Sequence, residues 1–128
     1  MDIIPKLKTR WKGIDSPFLI HSEGELKFSE IASQVSIDIS EIQSGDVVAL
    51  IGDFDPRSIL TLLQLIDKDV IILPLTCDTR DQHEYFFESA LVNVVVEGDR
   101  VNRINHVRKH KFIDILREKQ HAGLVLFS

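Results

Sequence analysis

The chain has 128 residues, 44% of them hydrophobic, with a formal net charge of −5 at pH 7, which suits one globular domain with a core of its own, residues 1–128. Its longest apolar runs, Val47 to Ile51 and Val70 to Leu75, fall far short of the ~20 residues a membrane-spanning helix needs, so no membrane span is expected. The start, Met1-Asp2-Ile3-Ile4-Pro5-Lys6, lacks the organisation of a secretory signal, and Cys77 has no partner for an internal disulfide; a reducing cytoplasm is therefore expected.

The charge is unevenly spread. Residues 1–13 carry a net +3, residues 14–99 a net −13 and residues 100–128 a net +5. An acidic body between basic ends is compatible with a phosphate or nucleic-acid contact at either end, and the favoured reading is that the basic segments lie against that body or against other parts of a larger protein.

Phe18-Leu19-Ile20-His21 and Glu25-Leu26-Lys27-Phe28 flank Ser22-Glu23-Gly24, and the second run alternates polar with apolar, which predicts a β-hairpin. Ser29 is placed as the N-cap of a short helix reaching about Ser36, packed through Ile31, Ala32 and Val35. Ser44-Gly45-Asp46 marks a turn. Val47 to Ile51 is a continuous apolar run rich in β-branched residues, the pattern of a strand covered on both faces. Asp55 is then placed to cap a helix whose first position is Pro56, where the missing N–H costs nothing. Ile59, Leu60, Leu62, Leu63 and Ile66 form its apolar stripe to about Asp67. Lys68-Asp69 turns the chain into Val70 to Leu75, and this strand-helix-strand spacing is a βαβ unit, which requires a parallel sheet.

A second helix is predicted from Asp78-Thr79-Arg80-Asp81 through Tyr85, Phe86, Ser89 and Ala90, followed by a third core strand over Leu91 to Val96. Beyond Glu97-Gly98-Asp99-Arg100 the pattern is weak until Phe112 to Arg117, a helix, and Ala122 to Phe127, an apolar core strand. The predicted fold class is α/β: a layered parallel-sheet subdomain with an N-terminal β-hairpin. An apolar strand running into Ser128 without a polar tail is expected to belong to something longer, because its backbone groups need sheet partners.

Several of these segments together resemble the N-terminal region of the AMP-forming, adenylate-forming superfamily, which includes acid–CoA ligases, peptide-synthetase adenylation domains and luciferase-like enzymes. Gly24-Glu25-Leu26-Lys27-Phe28-Ser29-Glu30-Ile31 is similar to that family's opening Thr/aromatic-Ser/Thr-x-Glu-Leu pattern. Ser44-Gly45-Asp46-Val47-Val48-Ala49-Leu50 resembles its Pro-Gly-Asp-Val-Val-Ala strand. Asp53 to Ile66 is similar to the helix after Asn-Ser/Thr-Pro-Glu, with Pro56 at the family's Pro, and Val70 to Leu75 resembles the strand ending in Val-Pro-Leu. Leu124-Val125-Leu126-Phe127-Ser128 looks like the Leu-Ile-Ile-Tyr/Phe-Thr/Ser strand that leads into Ser-Gly-Thr-Thr-Gly-x-Pro-Lys, the loop that cradles ATP phosphates. The resemblance covers about residues 18–96 and 121–128, and most of its motifs are structural. Asp67-Lys68-Asp69 stands where the family has Lys-Ala-Gly, and Thr76-Cys77 where it has Asp-Pro. Both departures fall in connections, and they leave the acid substrate undetermined.

The resemblance implies that the chain is the N-terminal fragment of an AMP-binding ligase domain. The whole enzyme would convert a carboxylic acid and ATP, with Mg²⁺, into an acyl-adenylate and pass the acyl group to CoA or a carrier thiol. Ser128 would stand at the edge of the phosphate loop, the one cofactor-contacting position the resemblance assigns. No catalytic or metal-binding residue is assigned, and the fragment alone is expected to be inactive. Its expected partners are the remainder of the ligase or a second copy, docked on an exposed apolar face. Physical chemistry points the same way: adenylation needs backbone N–H groups and a cation around a triphosphate, and Gly45, Gly52, Gly98 and Gly123 form no dinucleotide or Walker loop.

Other candidates compete with plain structural roles. His106 and His110 are spaced i, i+4, as two metal-binding imidazoles on a helix would be, but Arg108, Lys109 and Lys111 oppose a cation there. The run from Arg103 to Lys111 has the charge to meet nucleic-acid phosphates but lacks interleaved aromatics other than Phe112, so no nucleic-acid partner is expected. Cys77 follows a strand end, where open α/β sheets place their sites, and His83 is the base nearest in sequence; a buried structural thiol is the favoured role. Asp55 is expected to cap a helix, Asp53 to shape a turn and Trp11 to anchor packing. The alternative to the ligase fragment is a complete small α/β binding module without catalysis. A receiver-like or nucleotide-binding domain ranks last, because the acidic pair and Lys a receiver needs are not at the strand ends.

Overall fold

The computed structural model describes residues 1–105 and 110–128. Its elements run α1 (Ile3–Arg10), β1 (Leu19–His21), β2 (Gly24–Leu26), α2 (Phe28–Ala32), β3 (Val47–Ile51), α3 (Pro56–Asp67) and β4 (Ile71–Leu75). A 3-10 segment, Cys77–Gln82, leads into α4 (His83–Ala90), and β5 (Val94–Glu97), β6 (Arg100–Arg103), α5 (Lys111–Glu118) and β7 (Gly123–Leu124) follow. The protein is α/β, with a five-stranded sheet in the order β6-β5-β3-β4-β7 and a separate antiparallel hairpin, β1-β2. Only β6 runs against its neighbour; β3 pairs in parallel with both β4 and β5, and β4 with β7.

All five residues of β3 are buried, because strand side chains alternate and each face of the sheet carries its own layer. Val48 and Leu50 meet Leu65 of α3 together with Ile37 and Ile42 of the segment before β3. Val47, Ala49 and Ile51 meet Phe86 and Ala90 of α4 and Ile113 of α5. The βαβ unit is therefore present as the apolar runs predicted, with Asp55 capping α3 by accepting from the Ser58 amide at 2.8 Å and Pro56 at its first position.

The structure corrects several expectations. Ser29 lies inside α2 rather than capping it; Lys27 is the cap residue, and its amide donates to the Glu30 carboxylate at 3.1 Å. The helix ends at Ala32, leaving Val35 exposed. Leu91 is not a strand residue: it ends α4 in the left-handed conformation (φ 58°), so β5 begins only at Val94. The weakly patterned stretch contains β6, a polar edge strand whose charged side chains discourage further pairing.

The largest correction concerns residues 122–127. Leu124 and Leu126 are 58% and 71% exposed, and pairing with β4 spans only Gly123 and Leu124, so this is a short edge strand rather than a core strand. The reason lies in β4. Val125 N–H donates to the Ile72 carbonyl at 2.8 Å and Gly123 N–H to that of Val70 at 3.3 Å, so the backbone of alternate β4 residues points at β7. The next such residue is Pro74, which has no N–H to offer, and the ladder stops.

α1 forms where the sequence patterning predicts no element, because α3 caps it from outside. The Asp67 carboxylate accepts from the Ile3 and Ile4 amides, the latter at 3.2 Å, supplying the acceptors that the first turn of a helix lacks. Of the basic ends, the C-terminal one meets the acidic body through Arg103 and Asp46 at 2.9 Å; at the other end the terminal amine pairs with Asp69 at 2.9 Å, while Lys6, Lys8, Arg10 and Lys12 form no ion pair among the described residues. Among the described residues no helix is long and apolar enough to cross a membrane.

α5 ends in a left-handed cap at Gln120 (φ 49°), where Gln120 N–H donates to Arg117 O and His121 N–H to Leu116 O, both at 3.1 Å. A side chain in that conformation is strained and glycine is not. Gln120→Gly is expected to stabilise the fold by about 1 kcal/mol, read as a higher urea midpoint with an unchanged slope.

Candidate functional site

In an open α/β sheet the ligand site lies beyond the carboxyl ends of the strands, where the chain reverses its direction of travel across the sheet. Here that point is the β3/β5 boundary. α3 carries the chain from β3 to β4 over one face, and α4 carries it back over the other face to β5 on the far side of β3. A cavity of about 280 Å³ opens there, bounded by the loop after β3, the first turns of α3, Cys77, Glu97 and Gly98.

Its walls are fixed by short polar contacts. Asp53 Oδ1 accepts from the Cys77 amide at 3.0 Å, tying the loop after β3 to the one after β4. Thr61 is buried in the wall, its hydroxyl donating to the Arg57 carbonyl at 3.0 Å. Gly52 packs so closely on α3 that a Cβ there would lie 2.2 Å from Ser58 Oγ. Arg80 clamps Glu97 with both ends of its guanidinium, Nη1 donating to Oε1 at 3.2 Å and Nη2 to Oε2. These hydrogen bonds hold the Glu97 carboxyl below the usual carboxylate range and the Arg80 guanidinium above its ordinary value. Arg80 Nη2 also lies 3.9 Å from Cys77 Sγ.

The crevice thus gathers Asp53, Asp55 and Cys77, which the sequence singled out, with Arg57, Ser58, Thr61 and Glu97, which it did not. Asp55 caps α3 as expected. Asp53 does more than shape a turn, since it bridges two loops. His83 does not serve Cys77: it is buried, with Nε2 3.0 Å from the Thr76 carbonyl and 3.2 Å from Thr79 Oγ1. Cys77 is exposed rather than buried, because it opens the 3-10 segment beyond the end of β4, and the thiol's charged neighbour is a guanidinium, not a base. Arg80 and Glu97 were missed because their pairing joins residues 17 positions apart in sequence, which neither periodicity nor a motif could couple.

The other candidates lie elsewhere. Ser128 does not line the crevice. Because β7 is parallel to β4, residues 125–128 head towards the same carboxyl edge on the opposite side of β4, and Phe127 stacks on Phe86 of α4 at 4.4 Å. His106 lies outside the described residues, so the His106/His110 pair does too. His110 itself caps α5, its Nδ1 accepting from the Phe112 amide at 3.2 Å. Trp11 packs edge-on against Phe18 at 5.1 Å.

Chemically, the crevice carboxylates are engaged with the Cys77 and Ser58 amides and with Arg80, and the Arg57 guanidinium and the Ser58 and Thr61 hydroxyls line it for hydrogen bonding to a small polar ligand. The described residues contain no group of three or more His, Cys, Asp or Glu side chains placed to hold a metal ion. No family model, curated protein or solved structure matches the chain.

Two outcomes test this geometry. Gly52→Ala is expected to cost about 1–3 kcal/mol through overpacking, with Ser58→Ala in the same chain restoring part of the loss in urea unfolding. Since the Glu97 pKa is lowered from its ordinary 4.5, its pair with Arg80 contributes stability above that pH and loses it as pH falls through the folded-state value. The melting-temperature gap between wild type and Glu97→Gln is therefore expected to be widest near pH 7 and to close in acid.

Proposed function

We propose that this chain forms the N-terminal sheet of an AMP-forming carboxylic acid ligase, an enzyme that makes an acyl-adenylate from ATP and an acid and then transfers the acyl group to CoA or a carrier thiol. The observation that carries the reading is topological. The segments on which the resemblance rests fall, in order, on a hairpin entering a helix, a buried strand, a Pro-initiated helix, a parallel strand and a last strand beside it. In this reading Ser128 precedes the phosphate loop, on the sheet edge where α/β folds bind ligands.

ATP and Mg²⁺ are assigned to the whole ligase and not to the crevice, because the crevice does not fit them. Its carboxylates are engaged already, Asp53 with the Cys77 amide, Asp55 with the Ser58 amide and Glu97 with Arg80. The exposed apolar side chains Leu124, Leu126, Phe127, Phe112 and Tyr85, gathered around β7, α4 and α5, are where the remainder of the ligase docks, or a second copy when the chain is alone.

A second reading, a small α/β module that binds a ligand or partner without chemistry, is favoured by one observation: the crevice is built wholly from residues 50–98. The two separate cleanly. The ligase reading expects the reading frame to continue past codon 128 into a Ser-Gly-Thr-Thr-Gly loop, and expects no ATP–pyrophosphate exchange from the 128-residue chain. A stop codon at that point, or exchange catalysed by the chain alone, overturns it.

A further inference from the structure

The first helix carries Lys6, Lys8, Arg10 and Lys12 on itself and its C-terminal turn, and none of the four forms an ion pair among the described residues. Helical spacing divides them. Lys8 and Lys12, four apart, share one flank of the helix, and Lys6 and Arg10 share the other, with Ile3, Ile4, Leu7 and Trp11 between. The Lys8/Lys12 flank opens on a groove of about 510 Å³ between the end of α1 and α2, with Trp11, Ile14, Phe28 and Ala32 among its apolar walls.

The floor of this groove is aromatic. Trp11 meets Phe18 edge-on at 5.1 Å and 86°, and Phe18 meets Phe28 at 5.1 Å and 66°. The one acid on the rim, Asp15, is paired with Lys27 at 3.4 Å, so the two lysines dominate the local charge. The body beside them is acidic, with a net −13 over residues 14–99, so the Lys8/Lys12 rim is a local reversal of charge.

We propose that this groove binds a small anionic amphiphile, its apolar body against Trp11 and Phe28 and its carboxylate or phosphate head between Lys8 and Lys12. The volume lies within the range of about 300–1,000 Å³ typical of small-molecule sites, and lysine ammonium groups make strong charge-assisted hydrogen bonds to such heads. A bilayer surface is the poorer occupant, because the apolar side of α1 is already spent on the protein: Ile3, Ile4 and Leu7 are partly buried and the helix packs on α3. The site is separate from the carboxyl-edge crevice and does not depend on the ligase reading.

Trp11 is the chain's only tryptophan, so its emission reports on this groove alone. Octyl phosphate and octanoate, titrated below their micelle-forming concentrations into the full chain, are expected to give a saturable shift of that emission, and octanol one at least about tenfold weaker. Lys8→Gln with Lys12→Gln is expected to weaken octyl phosphate about tenfold or more, while Lys6→Gln with Arg10→Gln leaves it within about twofold. Circular dichroism checks that both variants keep the fold. Equal binding of octanol, equal loss in both double variants, no saturable shift, or a response to phosphatidylserine vesicles but not to monomeric octyl phosphate overturns the proposal.

Discussion

The fold depends on the parallel ladder on either side of β3. A strand buried on both faces has no water to satisfy its amides and carbonyls, so both edges must be paired. β4 and β5 do this over nearly the full length of β3. Each apolar side chain so buried is worth about 1.5–3 kcal/mol, and Val47, Val48, Leu50 and Ile51 all contribute. The requirement for cover on both faces then sends α3 over one face and α4 and α5 over the other.

That same requirement creates the crevice. A chain that goes from β3 to β4 over one face and back to β5 over the other must leave a gap at the β3/β5 boundary, since no connection crosses it there. The loops that border the gap are held by contacts between distant segments, Asp53 to the Cys77 amide and Arg80 to Glu97. The edge away from the crevice is less complete. Pro74 ends the β4–β7 ladder after two rungs, and the side chains of Leu124 and Leu126 project from it into solvent.

The βαβ unit and its caps were legible because they are local. Val47 to Ile51 is too apolar for a half-exposed strand, and Asp55-Pro56 states where α3 starts. The apolar character of Leu91 fits a strand as well as a buried helix cap; only the requirement that α4 turn back onto β3 decides between them. β6 was hidden by Arg100, Asn102 and Arg103, residues that suit an edge strand and a loop equally. α1 has no cap of its own, its acceptors coming from Asp67, more than 60 residues away. In the candidate site Asp53, Asp55 and Cys77 were visible as residues following strands, whereas Arg80 and Glu97 became partners only when β5 was laid beside β3.

The order of the residues is enough to specify an α/β protein with a parallel core, the start of α3 and the burial of Val47 to Ile51, because burial and capping act over a few neighbouring residues. That the last strand is a short edge, that α1 exists, and that the acidic loops close around an Arg80–Glu97 pair follow from the packed chain alone. Those features rest on hydrogen bonds and charges between segments far apart in the chain, and such contacts leave no periodic trace in the order of the residues.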